Sequence, residues 1–244
     1  MWKCSYAAVP GRGHNQSDFT TCEDVVAGIS NESVTCICLA DGAGSAKFAR
    51  LGASEVVQAT IHLFSEKFDE LFREDDSTIG KIILDNCLSS IKKTYGEVAD
   101  FDIRDYNATL LVVAIQGDNC ICAHVGDGII GKKDDQGFEI ISFPWNGEFI
   151  NVTIFVTSED APSTIDIKKF KLEKEVGFFV MSDGTQKSFY LKKELINVGA
   201  LNQLFEVASS NSVEDTSFCL EKNLLDVISK NTMDDCSFGM MVKN

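Results

Sequence analysis

Three apolar, β-rich runs in this chain end in the same way. LADGAG (39–44), HVGDG (124–128) and VMSDG (180–184) each carry a hydrophobic stretch into Asp-Gly. The runs at 34–40, 119–125 and 176–182 have strand length, β-branched residues and glycine punctuation, which predict buried strands. Each Asp then stands at a strand end, where Gly lets the backbone turn sharply. Glu23-Asp24 and Asp234-Asp235 border further apolar runs. One Asp-Gly is ordinarily a plain turn, because tight turns favour both residues. Several of them, each closing an apolar run, also permit a nest of carboxylates for a hard divalent cation, which prefers oxygen ligands. On that second reading the chain holds Mg²⁺ or Mn²⁺ and does hydrolytic chemistry.

The 244 residues, 44% of them apolar, suffice for one large domain with a substantial core, and a single domain over 1–244 is expected. No apolar stretch approaches the roughly 20 residues that cross a bilayer. MWKCSYAAVPGRGH at the start lacks the apolar core of a signal peptide. The formal charge of −15, from 37 acidic and 22 basic residues, repels nucleic acid and anionic membranes, so neither is an expected partner. Cys36 and Cys38, and likewise Cys120 and Cys122, alternate within strand-like runs, which puts each pair on one strand face as small core residues. No C-x-x-C occurs among the nine cysteines, and their odd number suits a reducing cytoplasm better than a disulfide framework or a structural zinc site.

Residues 2–9 read as a first strand, followed by the polar, glycine-broken GRGHNQSDFTTCED, which resembles an active-site loop. Strands near 25–29 and 33–40 lead to Asp41. A helix follows with Ser45 as its expected N-cap, and a second is expected from about Ser77 to Val98. ATLLVVAIQ, NCICAHV, GIIGKK and GFEIISF are short runs split by Gly-Asp signals, a spacing that predicts antiparallel hairpins. Residues 142–163 look irregular enough for a flap. Strands near 164–172 and 176–182, helices near 200–209 and 213–230, and a last strand, SFGMMVK, complete the chain. The pattern fits an α+β fold: a four-layer αββα sandwich of two antiparallel sheets flanked by helices. A doubly wound parallel sheet would need regular β-α-β alternation, which the centre lacks.

Motif order then gives a resemblance. Cys22-Glu23-Asp24, Asp41-Gly42-Ala43-Gly44, Ala108-Thr109-Leu110, Val125-Gly126-Asp127-Gly128, Ser182-Asp183-Gly184 and Asp234-Asp235-Cys236-Ser237 follow the succession of the metal-dependent protein phosphatases of type 2C. Gly11-Arg12-Gly13-His14, residues 147–153 and Ser182-Asp183-Gly184-Thr185-Gln186 look like a bacterial branch of that family. The resemblance implies a binuclear Mn²⁺ or Mg²⁺ site at one end of the sandwich. Asp41 would bridge both ions, with the Gly42 carbonyl helping to hold one. Asp183 and Asp234 would complete the first ion's shell, and Glu23 and Asp24 would serve the second. Asp127 would join Asp183 at a third, weaker site. Two ions about 3.5–4 Å apart can share a water and lower its pKa, so that hydroxide attacks phosphorus without a covalent phospho-enzyme. Asp235 is read as a turn residue or hydrogen-bond acceptor rather than a ligand.

Two positions depart from the family pattern. Ala43 stands where many members carry a His thought to protonate the leaving group, and Phe19 stands where many carry a phosphate-gripping Arg. His14, and with it Arg12, could assume one of those duties; equally, His14 could be a loop histidine that fixes local backbone. The expected function is a cytoplasmic Ser/Thr phosphoprotein phosphatase acting on a kinase or a kinase target. The alternative is a catalytically weak or silent member that serves as a binding or regulatory module.

Overall fold

The computed structural model describes residues 2–13, 22–144, 153–191, 194–195 and 197–243. His14, Phe19 and most of the 147–153 segment lie outside the described residues. The elements run β1 (Trp2–Val9), β2 (Val25–Ser30), β3 (Thr35–Ala40), α1 (Ala49–Arg73), α2 (Asp76–Tyr95), β4 (Leu110–Gln116), β5 (Asn119–Val125), β6 (Ile129–Lys133) and β7 (Phe138–Ser142). The short α3 (Ala161–Thr164), β8 (Asp166–Lys171), β9 (Gly177–Met181), the short α4 (Asp183–Gln186), β10 (Tyr190–Leu191), β11 (Glu194–Leu195), α5 (Val198–Ser210), α6 (Val213–Asn223) and β12 (Cys236–Lys243) follow.

Two five-stranded sheets, ordered β1-β12-β9-β6-β7 and β2-β3-β4-β5-β8, pair antiparallel throughout. Alternation along the strands sorts side chains into three cores. In β3, Cys36 and Cys38 face α1 and α2, whereas Ile37 and Leu39 face the other sheet. In β9, Phe179 and Met181 pack with α5 and α6, while Phe178 and Val180 point between the sheets. Central strands buried on both faces need continuous apolar sequence, so these runs show no polar alternation. The result is the expected four-layer αββα sandwich. Cys36 and Cys38 share one face, and Cys120 and Cys122 another, as expected from their spacing.

Three local expectations need correction. Helix α1 starts at Ala49 with Phe48 as its N-cap, and not at Ser45. The peptide N–H groups of Ala43 and Phe48 donate to the carbonyls of Asn107 and Asp105, which holds 43–48 in turns until the chain clears that segment. The stretch from α6 onward is not one helix to residue 230: it widens into a π turn at Leu224–Ile228 and tightens into a 3₁₀ turn at Ser229–Asn231. Finally, β4–β5 and β6–β7 are hairpins, but β5 and β6 lie in different sheets. Gly126-Asp127-Gly128 is therefore a crossover between the sheets. Both of its glycines have φ of +107°, a conformation that L side chains rarely adopt.

Register fixes where the acidic residues meet. Val25 pairs Ala40, Leu39 pairs Leu111, and Leu110 pairs Val125, so Asp24, Asp41 and Asp127 emerge at one end of their sheet. In the other sheet Met181 pairs both Ile129 and Phe238, which brings Asp183 and Asp234 to that same end.

Candidate metal centre

Thr109 sets the stance of Asp41. Its peptide N–H donates to the Asp41 carbonyl at 2.9 Å, and its hydroxyl oxygen accepts the Asp41 N–H at 2.8 Å. An isolated bridge between Gly42 and Ala108 continues the contact. The sequence motif contained Thr109 but assigned it no task; here it anchors the central carboxylate. Asp235, buried, accepts the N–H groups of Gly11 at 2.8 Å and Glu23 at 2.6 Å. It thus ties both flanks of the 14–21 segment to the start of β12, in keeping with its reading as an acceptor.

Asp24 is 2% exposed, and among the described residues neither carboxylate oxygen has a hydrogen-bond donor in bonding geometry. Burial pushes its pKa up to about 7; the nearby hydroxyls of Ser237 and Ser182 pull the other way, and the charges of Asp235 and Asp183 add to the rise. Asp41 keeps part of its surface open but is densely surrounded. That burial raises its pKa well above the usual carboxylate range, reinforced by Asp24, Asp183 and Asp127. Asp183 is pushed up to about 6 by burial first and then by Asp127 and Asp234. Asp127 accepts a hydrogen bond from the Thr153 hydroxyl at 2.8 Å.

These residues share one electrostatic field at one end of the sandwich. They do not form a closed cage: among the described residues, no group of three or more His, Cys, Asp or Glu is arranged to hold a metal ion. Their chemistry nonetheless fits a divalent cation. The donors are hard oxygens, like charges are pressed together, and the buried Asp24 carboxylate has no donor in bonding geometry among the described residues. Mg²⁺ in particular keeps several waters and needs few direct protein ligands. Glu23 lies beside Gly44: a Cβ built on that glycine would stand 3.6 Å from Glu23 Oε2. His14, the expected catalytic histidine, is outside the described residues. Ala43 is buried, with no group that could donate a proton.

Sequence reasoning missed one cation. The Lys187 ammonium lies 2.7 Å from Asp234 Oδ2 and 3.9 Å from Asp183 Oδ2. The i,i+4 spacing from Asp183 was a signal available in the sequence. The contact with Asp234 was not, because it depends on tertiary packing.

Comparisons with known proteins agree with this architecture. Residues 10–228 match the model of the family described as protein phosphatase 2C. Serine/threonine-protein phosphatase 3 of Escherichia coli (strain K12) is 24% identical over 172 residues, which are 68% of this chain and 66% of the relative. The chain thus spans about two thirds of that protein's length. The S. agalactiae serine/threonine phosphatase has a TM-score of 0.63 at 19% identity, with 100% of both chains covered. The catalytic domain of the serine threonine protein phosphatase PstP, in complex with two manganese ions, has a TM-score of 0.62 at 17% identity, with 99% of both covered. At these identities the structural likeness speaks for the fold alone. The family match extends over most of the sequence, and the chain belongs to the protein phosphatase 2C family.

Proposed function

We propose that this chain is a metal-dependent Ser/Thr phosphoprotein phosphatase acting as one catalytic domain over 1–244. The observation that carries the reading is the meeting of Asp24, Asp41, Asp127, Asp183 and Asp234 at one end of the sandwich, with Asp24 buried and its oxygens without a donor in bonding geometry among the described residues. Asp41, Asp183 and Asp234 would hold one Mn²⁺ or Mg²⁺, and the Gly42 carbonyl would help to hold one of the two ions. Asp41, Glu23 and Asp24 would hold a second, and Asp127 with Asp183 a weaker third. Bound there, the ions would neutralise phosphoryl oxygens and lower the pKa of the attacking water, so that hydroxide displaces the Ser or Thr oxygen directly.

The chain's own residues do the positioning. Thr109 fixes the direction of Asp41, and Asp235 fixes the backbone of Glu23. Neither cysteine that flanks the cluster is suited to covalent catalysis: burial pushes Cys22 and Cys236 well above the range where a thiolate forms at neutral pH. The substrate would be a phosphoprotein made by a kinase, or the kinase itself. All nine cysteines are free thiols, which supports a cytoplasmic setting. Among the described residues no helix is long and apolar enough to cross a membrane.

The test is hydrolysis of a phosphothreonine peptide with Mn²⁺. EDTA should abolish it, and Asp41→Asn should lower kcat at least about 10²-fold, as expected when a group that organises transition-state charge is lost. A second reading, a silent regulatory module, draws on Ala43, which offers no acid at its position. Tight binding of a phosphopeptide without turnover in Mn²⁺ would establish that reading and end the first.

A further inference from the structure

Lys187 is 64% exposed at its side chain, yet its ammonium points back over the acidic end and pairs with Asp234 and Asp183. Asp234 is held further by the Thr232 hydroxyl at 3.3 Å from the same Oδ2, which keeps that oxygen turned toward the ammonium. Asp183 and Asp234 are two of the three carboxylates that the proposed function assigns to one divalent ion. A monovalent cation of this protein therefore sits where an added cation would have to go.

We propose that Lys187 is the site's own exchangeable cation: its ammonium neutralises Asp183 and Asp234 in the ion-free protein and yields them when a divalent ion binds. The exchange rests on these carboxylates forming a cation site, as proposed above, and not on turnover. The physical case is direct. An ammonium and a doubly charged ion cannot share the same two oxygens without strong like-charge repulsion. The four-carbon lysine stem lets the ammonium withdraw into solvent at small cost, because a surface ion pair contributes little net stability. Ion binding is then a competition, and removing the competitor should tighten it.

The experiment is calorimetric titration of MnCl₂ into EDTA-stripped, dialysed protein at fixed ionic strength, for wild type, Lys187→Met and Lys187→Arg. The Met variant should bind Mn²⁺ about two- to fivefold tighter, the range expected of an exposed ion pair, and the Arg variant should stay near wild type. Hydrolysis of p-nitrophenyl phosphate by the same samples separates the two readings. Equal or weaker binding in the Met variant, with turnover intact, overturns the exchange and leaves the phosphatase standing. Tighter binding in that variant with no turnover in any sample supports the exchange and removes the phosphatase. Absence of Mn²⁺ binding in every sample overturns both.

Discussion

His124, three residues before the crossover Asp127, is a buried polar residue that couples the two sheets. Its Nδ1 lies 2.8 Å from the Ser142 hydroxyl oxygen, and that hydroxyl donates to Asp166 Oδ2 at 2.7 Å. The serine proton is committed to Asp166, so His124 Nδ1 is the donor. Burial lowers its pKa from 6.5 to about 4, against the pull of Asp166 and of the backbone at Asp127 and Gly126. The unfolded chain therefore binds more protons than the native protein between about pH 6.5 and 4. His124 thus contributes stability that is present above pH 6.5 and lost as pH falls. From pH 7 to 5 the loss is about 2 kcal/mol. Asp24 and Asp183, raised by burial, act with the opposite sign over the same range. The quantity to measure is therefore the difference between wild type and His124→Gln in urea unfolding at pH 7, 6 and 5. Wild type should lose about 2 kcal/mol relative to the variant on acidification; a gap that does not change with pH contradicts a neutral, buried His124.

At the scale of elements, the crossover Gly126-Asp127-Gly128 shows what was legible and what was not. The apolar runs, their endings in Asp-Gly and the sheet faces of the cysteines follow from local chemistry, and they were readable residue by residue. That β5 leads into the other sheet was not readable, because Gly-Asp-Gly suits a hairpin and a crossover equally; only long-range pairing of β6 with β9 decides it. The start of α1 likewise depends on distant residues, since the carbonyls that delay it belong to residues 105 and 107. The acidic residues that meet at one end of the sandwich were legible as motifs, while the ammonium on Asp234 depended on packing. Gly126 makes the crossover testable. A Cβ there would meet the Thr109 methyl at 2.5 Å on a backbone with φ +107°, and Thr109 is the residue that holds Asp41. Gly126→Ala should cost about 2 kcal/mol or more in urea unfolding and also weaken Mn²⁺ binding. Gly137→Ala is the control: it has φ of +137° and nothing within 4 Å of a new Cβ. It should lose stability through backbone strain while keeping wild-type Mn²⁺ affinity. Weakened ion binding in both variants would mean that Gly126 has no specific link to the site.

Over the whole molecule, a charge of −15 is distributed so that part of its self-repulsion is concentrated where both sheets end. That placement costs the fold stability, because Asp24, Asp41 and Asp183 are held close together under desolvation. Two kinds of added cation should relieve it differently. Sodium chloride screens exposed charges over a Debye length of about 10 Å at 0.1 M but reaches buried pairs poorly. A divalent ion bound between the carboxylates acts on the buried pairs directly and binds the native state alone. At a free concentration 100 times its Kd, such an ion adds about 2.7 kcal/mol per site. For a chain of this length that corresponds to a rise in Tm of about 5–10 °C. EDTA-stripped protein should therefore show only a small rise in Tm with added NaCl and a much larger one with millimolar MnCl₂ at matched ionic strength. In Asp41→Asn the manganese increment should shrink sharply while the salt increment persists, since the surface charge is almost unchanged. If NaCl and MnCl₂ raise Tm equally, the acidic end is a screened surface and not an ion site.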